Sequence, residues 1–215
     1  MIHALKLLTL SFCMLLCCTT FAHAQFRTNS NTVNTLVGNP PTSNSPLAQV
    51  AISLVETVGT ACGGFLRGSN LNCVQGISLP DVPSASLAIN QLTSSASTYE
   101  CGQIAAGNTC LQCVGFVQAA VGGSTGEILN NGGNAKDYAT NVPTGYQYYT
   151  VSSNTPLQEG DIIIKTGGQW GHIGIVTLVY DQSTIQVAEA NFGFGGELGL
   201  KNSSPDVWNG FLRKI

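Results

Sequence analysis

Two periodicities divide the chain. From about residue 46 to 123 apolar side chains recur at helical spacing, and from 162 onward they come in short continuous or alternating runs. In the first part, Leu47, Val50, Ala51, Leu54 and Val55 fall on one face of a predicted helix, with Ser45-Pro46 as N-cap and first-turn proline and Gly59 as its stop. A weaker pattern from Pro83 to about Ser95 turns Leu87, Ala88 and Leu92 inward. A third helix is predicted between Thr109 and Gly123, where Val114, Val117 and Val121 form a stripe beside Phe116 and Ala120. Thr109 and Gln112 fit a capping box at its start, and Gly122-Gly123 is expected to end it. In the second part, Ile162-Ile163-Ile164-Lys165 reads as a buried strand, His172 to Tyr180 as a second, and Thr184 to Asn191 as an alternating third. Trp208 to Lys214 supplies a last one. Turns this short pair strands antiparallel. The expected fold class is α+β, N-terminal helices with one cysteine-bearing helix packed on an antiparallel sheet.

The amino terminus changes the picture. Lys6, an apolar run from Leu7 to Phe21 and the small-residue ending Ala22-His23-Ala24 predict a signal peptide over residues 1–24. The run is too short to span a bilayer, so no membrane span is expected after cleavage. Residues 25–45, rich in Asn, Thr, Ser and Pro, predict a flexible leader. A helical, disulfide-containing region at 46–100 and a chemically active domain at 101–215 complete the expected organisation. Only 9% of residues are charged and the net charge is −3, so no polybasic patch speaks for nucleic acid or an anionic membrane surface. A secreted, periplasmic or cell-envelope monomer is expected.

Cleavage after Ala24 removes Cys13, Cys17 and Cys18 and leaves five of the eight cysteines. In an exported protein this reads as two bridges and one reactive thiol. With Cys113 left out, Cys62, Cys73, Cys101 and Cys110 allow three connectivities; the local pairs Cys62–Cys73 and Cys101–Cys110 are favoured. The converse, Cys110 free and Cys113 bridged, stays open.

Cys113 falls in the first turn of its helix, where the helix dipole favours a thiolate. His3 and His23 leave with the signal peptide, so His172 is the one histidine of the mature chain. Glu189 and Asn191, two apart at the end of the next strand, would share a face, and either side chain is able to orient an imidazole. Gln112, with the backbone N–H of Cys113, is a candidate oxyanion group, and Trp170 before Gly171-His172 is a candidate substrate contact. Each has a plainer reading: a structural strand histidine, a solvated carboxylate, turn chemistry at Asn191-Phe192-Gly193, a cap partner at Gln112. Cys110-x-x-Cys113 has zinc-ligand spacing, but no second paired set follows it.

Five segments occur in order: Gln112-Cys113-Val114-Gly115-Phe116-Val117, Gly133-Asn134-Ala135-Lys136-Asp137-Tyr138-Ala139, Gly160-Asp161-Ile162-Ile163, Gly171-His172-Ile173-Gly174-Ile175-Val176 and Val187-Ala188-Glu189-Ala190-Asn191-Phe192. Together they resemble the CHAP domain, a cysteine- and histidine-dependent amidohydrolase/peptidase family with a papain-like fold, over roughly residues 101–215. The resemblance implies Cys113 as nucleophile, His172 as base, Glu189 as the group that orients it and Asn191 in support. It also implies peptidoglycan as substrate, cut at the muramoyl–alanine link or within the stem peptide and cross-bridge. The related NlpC/P60 hydrolases typically carry Asp-Cys-Ser where this chain has Gln112-Cys113-Val114, and Glu189-Ala190-Asn191 favours CHAP. Gly102 to Thr109 lacks the acidic residues of the calcium loop of some phage CHAP domains, so no metal or other cofactor is expected. Two alternatives remain: an NlpC/P60-like hydrolase of another peptide amide, and a catalytically inactive secreted binding or effector protein of the same fold.

Overall fold

The computed structural model describes residues 43–97, 109–130, 133–152, 154–193 and 195–215. The predicted signal peptide, most of the leader and Cys101 lie outside the described residues. Residues 39–215 form one compact unit.

The first helical stretch runs from α1 (Pro46–Ser53) through a π-helical turn (Leu54–Val58) into α2 (Gly59–Ala61). The Ser45 hydroxyl accepts the Ala48 N–H at 3.4 Å and Pro46 fills the first turn, as the residue types require. Gly59 does not stop the helix; the chain turns at Gly63 and Gly64, which hold φ of 69° and 81°. The Cys62–Cys73 disulfide closes the following loop over a 3₁₀-helix at Gly68–Val74. Next come α3 (Ala85–Ser94), the short strands β1 (Ala96–Ser97) and β2 (Cys110–Leu111), and α4 (Cys113–Thr125).

Both predicted ends of α4 need correction. Thr109 is not its cap: the Thr109 carbonyl accepts the Gly68 N–H at 2.7 Å and Leu111 N–H donates to Leu66 at 2.9 Å, which pulls 109–111 into extended pairing. Gln112 occupies the N-cap without a side-chain cap bond, and Cys113 is the first helical residue. Gly122 and Gly123 continue the helix, which ends at Gly126 (φ 78°). Their role is close approach: a Cβ on Gly123 would sit 2.9 Å from Val82 and 3.1 Å from Ala88 and Val50.

A six-stranded antiparallel sheet follows, built from β3 (Tyr146–Thr150), β4 (Ile162–Lys165), β5 (His172–Val179), β6 (Ile185–Ala190), β7 (Leu198–Ser203) and β8 (Gly210–Lys214), in the order β3-β8-β4-β5-β6-β7. The fold is α+β. One face packs on the helices, where Ile162, Ile164, Ile175 and Ala188 share a cluster with Phe116 and Val117 of α4 and Val50, Leu54 and Leu92 of the N-terminal region. The other face carries a smaller core of Ile163, Val176, Ile185, Val187 and Trp208. Cover on both faces explains why Ile162-Ile163-Ile164 is continuously apolar; each buried isoleucine contributes about 1.5–3 kcal/mol. Buried Asp161 at the head of β4 takes a two-pronged ion pair from Arg213 of β8, at 2.8 and 2.6 Å. Burial raises its carboxyl above the ordinary value, with Arg213 acting in opposition. No helix among the described residues is long and apolar enough to cross a membrane.

Candidate active site

Strand β2 leads without a break into α4, which fixes Cys113 at the helix N-terminus as a partly buried free thiol. Gly115 keeps that first turn tight, since a Cβ there would lie 2.5 Å from Cβ of Ser95. His172 opens β5. Before it, Gly171 holds φ 75°, and a Cβ would meet the Lys165 carbonyl at 2.5 Å and the Lys136 nitrogen at 2.6 Å, so backbone on both sides demands glycine. The Lys136 N–H donates to the Trp170 carbonyl at 3.1 Å, tying this turn to the 3₁₀-helix Ala135–Ala139. Asn134 and Asp137 cap that helix reciprocally, with Asn134 N–H donating to Asp137 at 2.8 Å.

The His172 ring lies between a thiol and a carboxylate. Its Nε2–H donates to Glu189 Oε2 at 2.8 Å, and its second hydrogen-bond partner is Cys113, for which the remaining nitrogen is Nδ1. Glu189 is 6% exposed. Burial alone would discharge the imidazole, but the hydrogen bonds and charges of Cys113 and Glu189 outweigh it and raise His172 from 6.5 to about 9. A thiol and an imidazole paired in this way exchange a proton readily, and the carboxylate fixes the tautomer.

Residues 103–191 match the family model of the CHAP domain. This stretch is similar to CHAP domains. Its sequence is also similar to the staphylococcal secretory antigen ssaA2 of Staphylococcus aureus strains MRSA252 and NCTC 8325, 34% identical over 84 residues, or 39% of this chain and 29% of each relative. The chain thus spans under a third of the length of the curated relatives it matches. Among solved structures, the endolysin LysIME-EF1 aligns with TM-score 0.42 and 23% identity over 49% of this chain and 53% of its own. Ly7917, also solved with the hydrolysing product of MDP, aligns with TM-score 0.37 and 14% identity over 60% and 62%.

The other residues singled out in the CHAP-like stretch sit around this centre. Asn191 follows β6 with φ 57°, so strand alternation does not put it on the face of Glu189. Its Nδ2 donates to Gln112 Oε1 at 2.9 Å, and its Oδ1 accepts the Gly196 N–H at 2.9 Å. Gln112 in turn points Nε2 at Cys110 Sγ, 3.2 Å away. Cys110 is fully buried and disulfide-bonded. Trp170 is partly exposed, and it is Trp208 whose ring stacks on His172, at 6.0 Å between centroids. Behind Cys113 lies buried Tyr138, pushed up to about 12 by burial and by the charge of Cys113, against the lowering effect of its bond to Gln118. Sequence reasoning missed Trp208, Lys165, Phe192 and Lys201, which line a cleft beside the His172–Glu189 pair. The one available signal was the hairpin, which sets Lys165 across from His172.

Proposed function

We propose that the protein is an exported cysteine hydrolase that cleaves amide bonds of bacterial cell-wall peptidoglycan, as an N-acetylmuramoyl-L-alanine amidase or a peptidoglycan endopeptidase. The observation that carries this reading is the chain's His172 held between the free thiol of Cys113 and the buried carboxylate of Glu189. His172 takes the Cys113 proton and the thiolate attacks the amide carbonyl. The oxyanion is met by the Cys113 N–H, which as a first-turn donor has no intrahelical acceptor, and by the Gln112 amide. His172 returns its proton to the departing amine, the C–N bond breaks, and water then releases the acyl group from sulfur. Glu189 holds the imidazolium in register throughout, and Asn191 acts by anchoring Gln112.

The likeness of residues 103–191 to the CHAP domain supports the substrate class. The signal-peptide pattern of residues 1–24, the Cys62–Cys73 bridge and the likeness to secretory antigens support export. The test uses mature protein with and without Cys113→Ala on purified peptidoglycan, with products read by mass spectrometry. New amine termini from the wild type and none from the variant are expected; equal release by both refutes Cys113 as nucleophile. Iodoacetamide labelling near neutral pH should mark Cys113, and a label on Cys110 instead would overturn the assignment of the thiols.

A further inference from the structure

Ile173, Ile175, Ala188 and Ala190 turn toward the helices, so Gly174 and Glu189 turn to the other face of the sheet. A cleft of about 410 Å³ opens on that face, and His172, Glu189 and Trp208 are among the residues that line it. Water in the cleft thus comes close to the hydrogen bond between ring and carboxylate, yet Glu189 and Trp208 are both buried. The Trp208 indole stacks on the His172 ring, with centroids 6.0 Å apart and planes at 29°. It is held there on several sides. The short 3₁₀-helix Pro205–Val207 precedes it, and its backbone N–H donates to the Pro205 carbonyl at 3.0 Å. Its Nε1–H donates to Ser203 Oγ at 2.9 Å. Ile163, Val176 and Val187 pack with it in the smaller core, and the Lys165 ammonium lies 4.5 Å from its centroid. The polar atom of the indole is satisfied at Ser203, so what Trp208 offers the imidazole is an apolar face. Gly174 adds to the fit: a Cβ there would meet Cγ1 of Val187 at 2.5 Å and Cβ of Glu189 at 3.4 Å, so Glu189 sits against bare backbone.

We propose that Trp208 is a positioning residue for hydrolysis: its indole walls the His172–Glu189 hydrogen bond off from the cleft and holds the ring so that one nitrogen meets the carboxylate and the other the thiol of Cys113. The proposal rests on the hydrolase reading. Without the indole, the cleft would extend onto the face of the ring. Water entering that space would compete for Glu189 Oε2 and screen its charge. The imidazole would also lose the flat surface that limits its rotation, and a turned ring misplaces both of its nitrogens at once. The plainer role for Trp208 is to lid the smaller core, which Ile185 shares at the far end of β6 from Glu189. The two roles separate by experiment, because a lid acts on stability and a wall acts on the ring proton.

Mature protein labelled with ¹⁵N-histidine gives the test, since His3 and His23 lie in the predicted signal peptide and the Nε2–H of one ring is then observed. Its exchange with water is read by NMR, and kcat and KM are measured on soluble peptidoglycan fragments, each variant below its own unfolding transition. Trp208→Ala should speed the exchange about tenfold or more and lower kcat about tenfold, with KM within about twofold. Trp208→Phe restores an apolar ring face without the indole N–H and should bring exchange and kcat back to within about threefold of wild type. Ile185→Ala should weaken the fold and leave both readouts at the wild-type value. Wild-type exchange in Trp208→Ala, or the same change of both readouts in Ile185→Ala, would overturn the proposal. If the wild type releases nothing from peptidoglycan, the hydrolase reading fails, and the exchange measurement decides the wall separately. Faster exchange in Trp208→Ala that Trp208→Phe reverses upholds it; unchanged exchange sinks it.

Discussion

Glu189→Gln keeps the shape of the side chain that orients His172 and removes its charge. His172 stands at about 9 instead of 6.5, a difference worth roughly 3 kcal/mol in favour of the imidazolium. Burial pulls the other way, so Cys113 and Glu189 together supply more than this net value; the Cys113 hydrogen bond and charge each rank ahead of those of Glu189, and a Gln at 189 still accepts a hydrogen bond. Loss of the Glu189 charge should therefore cost about 1–1.5 kcal/mol and bring the His172 midpoint down by about one pH unit. The readout is direct, because two of the three histidines lie in the predicted signal peptide. Mature protein labelled with ¹³C,¹⁵N-histidine then shows one ring, titrated by NMR from about pH 5 to 11. The wild-type midpoint should fall near 9, and the Gln variant near 8, with the alkaline limb of peptidoglycan hydrolysis moving in step. A variant midpoint equal to the wild type, with the fold intact, would refute the claim that Glu189 holds the proton on His172.

Three further expectations test the frame around the site. His172 is raised in the folded state, so its contribution to stability is complete below pH 6.5 and is lost as pH rises through about 9; urea unfolding should show a loss of roughly 2–3 kcal/mol over that window that a His172→Gln variant lacks. Arg213→Ala strands the buried Asp161 carboxylate and should cost about 3 kcal/mol, with Arg213→Met plus Asp161→Leu recovering most of it in the same measurement. Gly171→Ala drives a methyl into backbone on two sides at φ 75° and should cost about 2–3 kcal/mol and displace His172, whereas Gly167→Ala, with nothing within 4 Å, should cost under about 0.5 kcal/mol by urea unfolding.

The helices around α1 and α3 and the strands β4, β5, β6 and β8 were readable because apolar periodicity or continuity marks a covered face. β3 and β7 were not. Tyr146-Gln147-Tyr148-Tyr149-Thr150 and Leu198-Gly199-Leu200-Lys201-Asn202-Ser203 are edge strands, half buried, and their pattern is diluted by polar positions. The C-terminal end of α4 was misread because Gly122 and Gly123 look like a stop locally while the bare face of Gly122 admits Leu87 and that of Gly123 admits Val50, Val82 and Ala88. The meeting of Cys113, His172 and Glu189 was within reach, since a helix start, a strand start and a strand end are each marked by local residues. The left-handed turn at Asn191 and the placing of Lys165 and Lys201 on one face of the sheet depend on tertiary context and register, which no single segment encodes.

The shared core of the N-terminal helices and the sheet governs when the thiol can become reactive. Val50, Leu54 and Leu92 leave the ribosome before Cys113 and pack with it in one cluster, while His172 and Glu189, on strands whose Ile173, Ile175, Ala188 and Ala190 complete that cluster, leave after it. A partly folded chain holding α1 to α4 alone carries the sulfur with neither base nor carboxylate beside it. The alkylation rate of Cys113 during refolding therefore reports the docking of the sheet strands on α4, and one side chain times the assembly of the site.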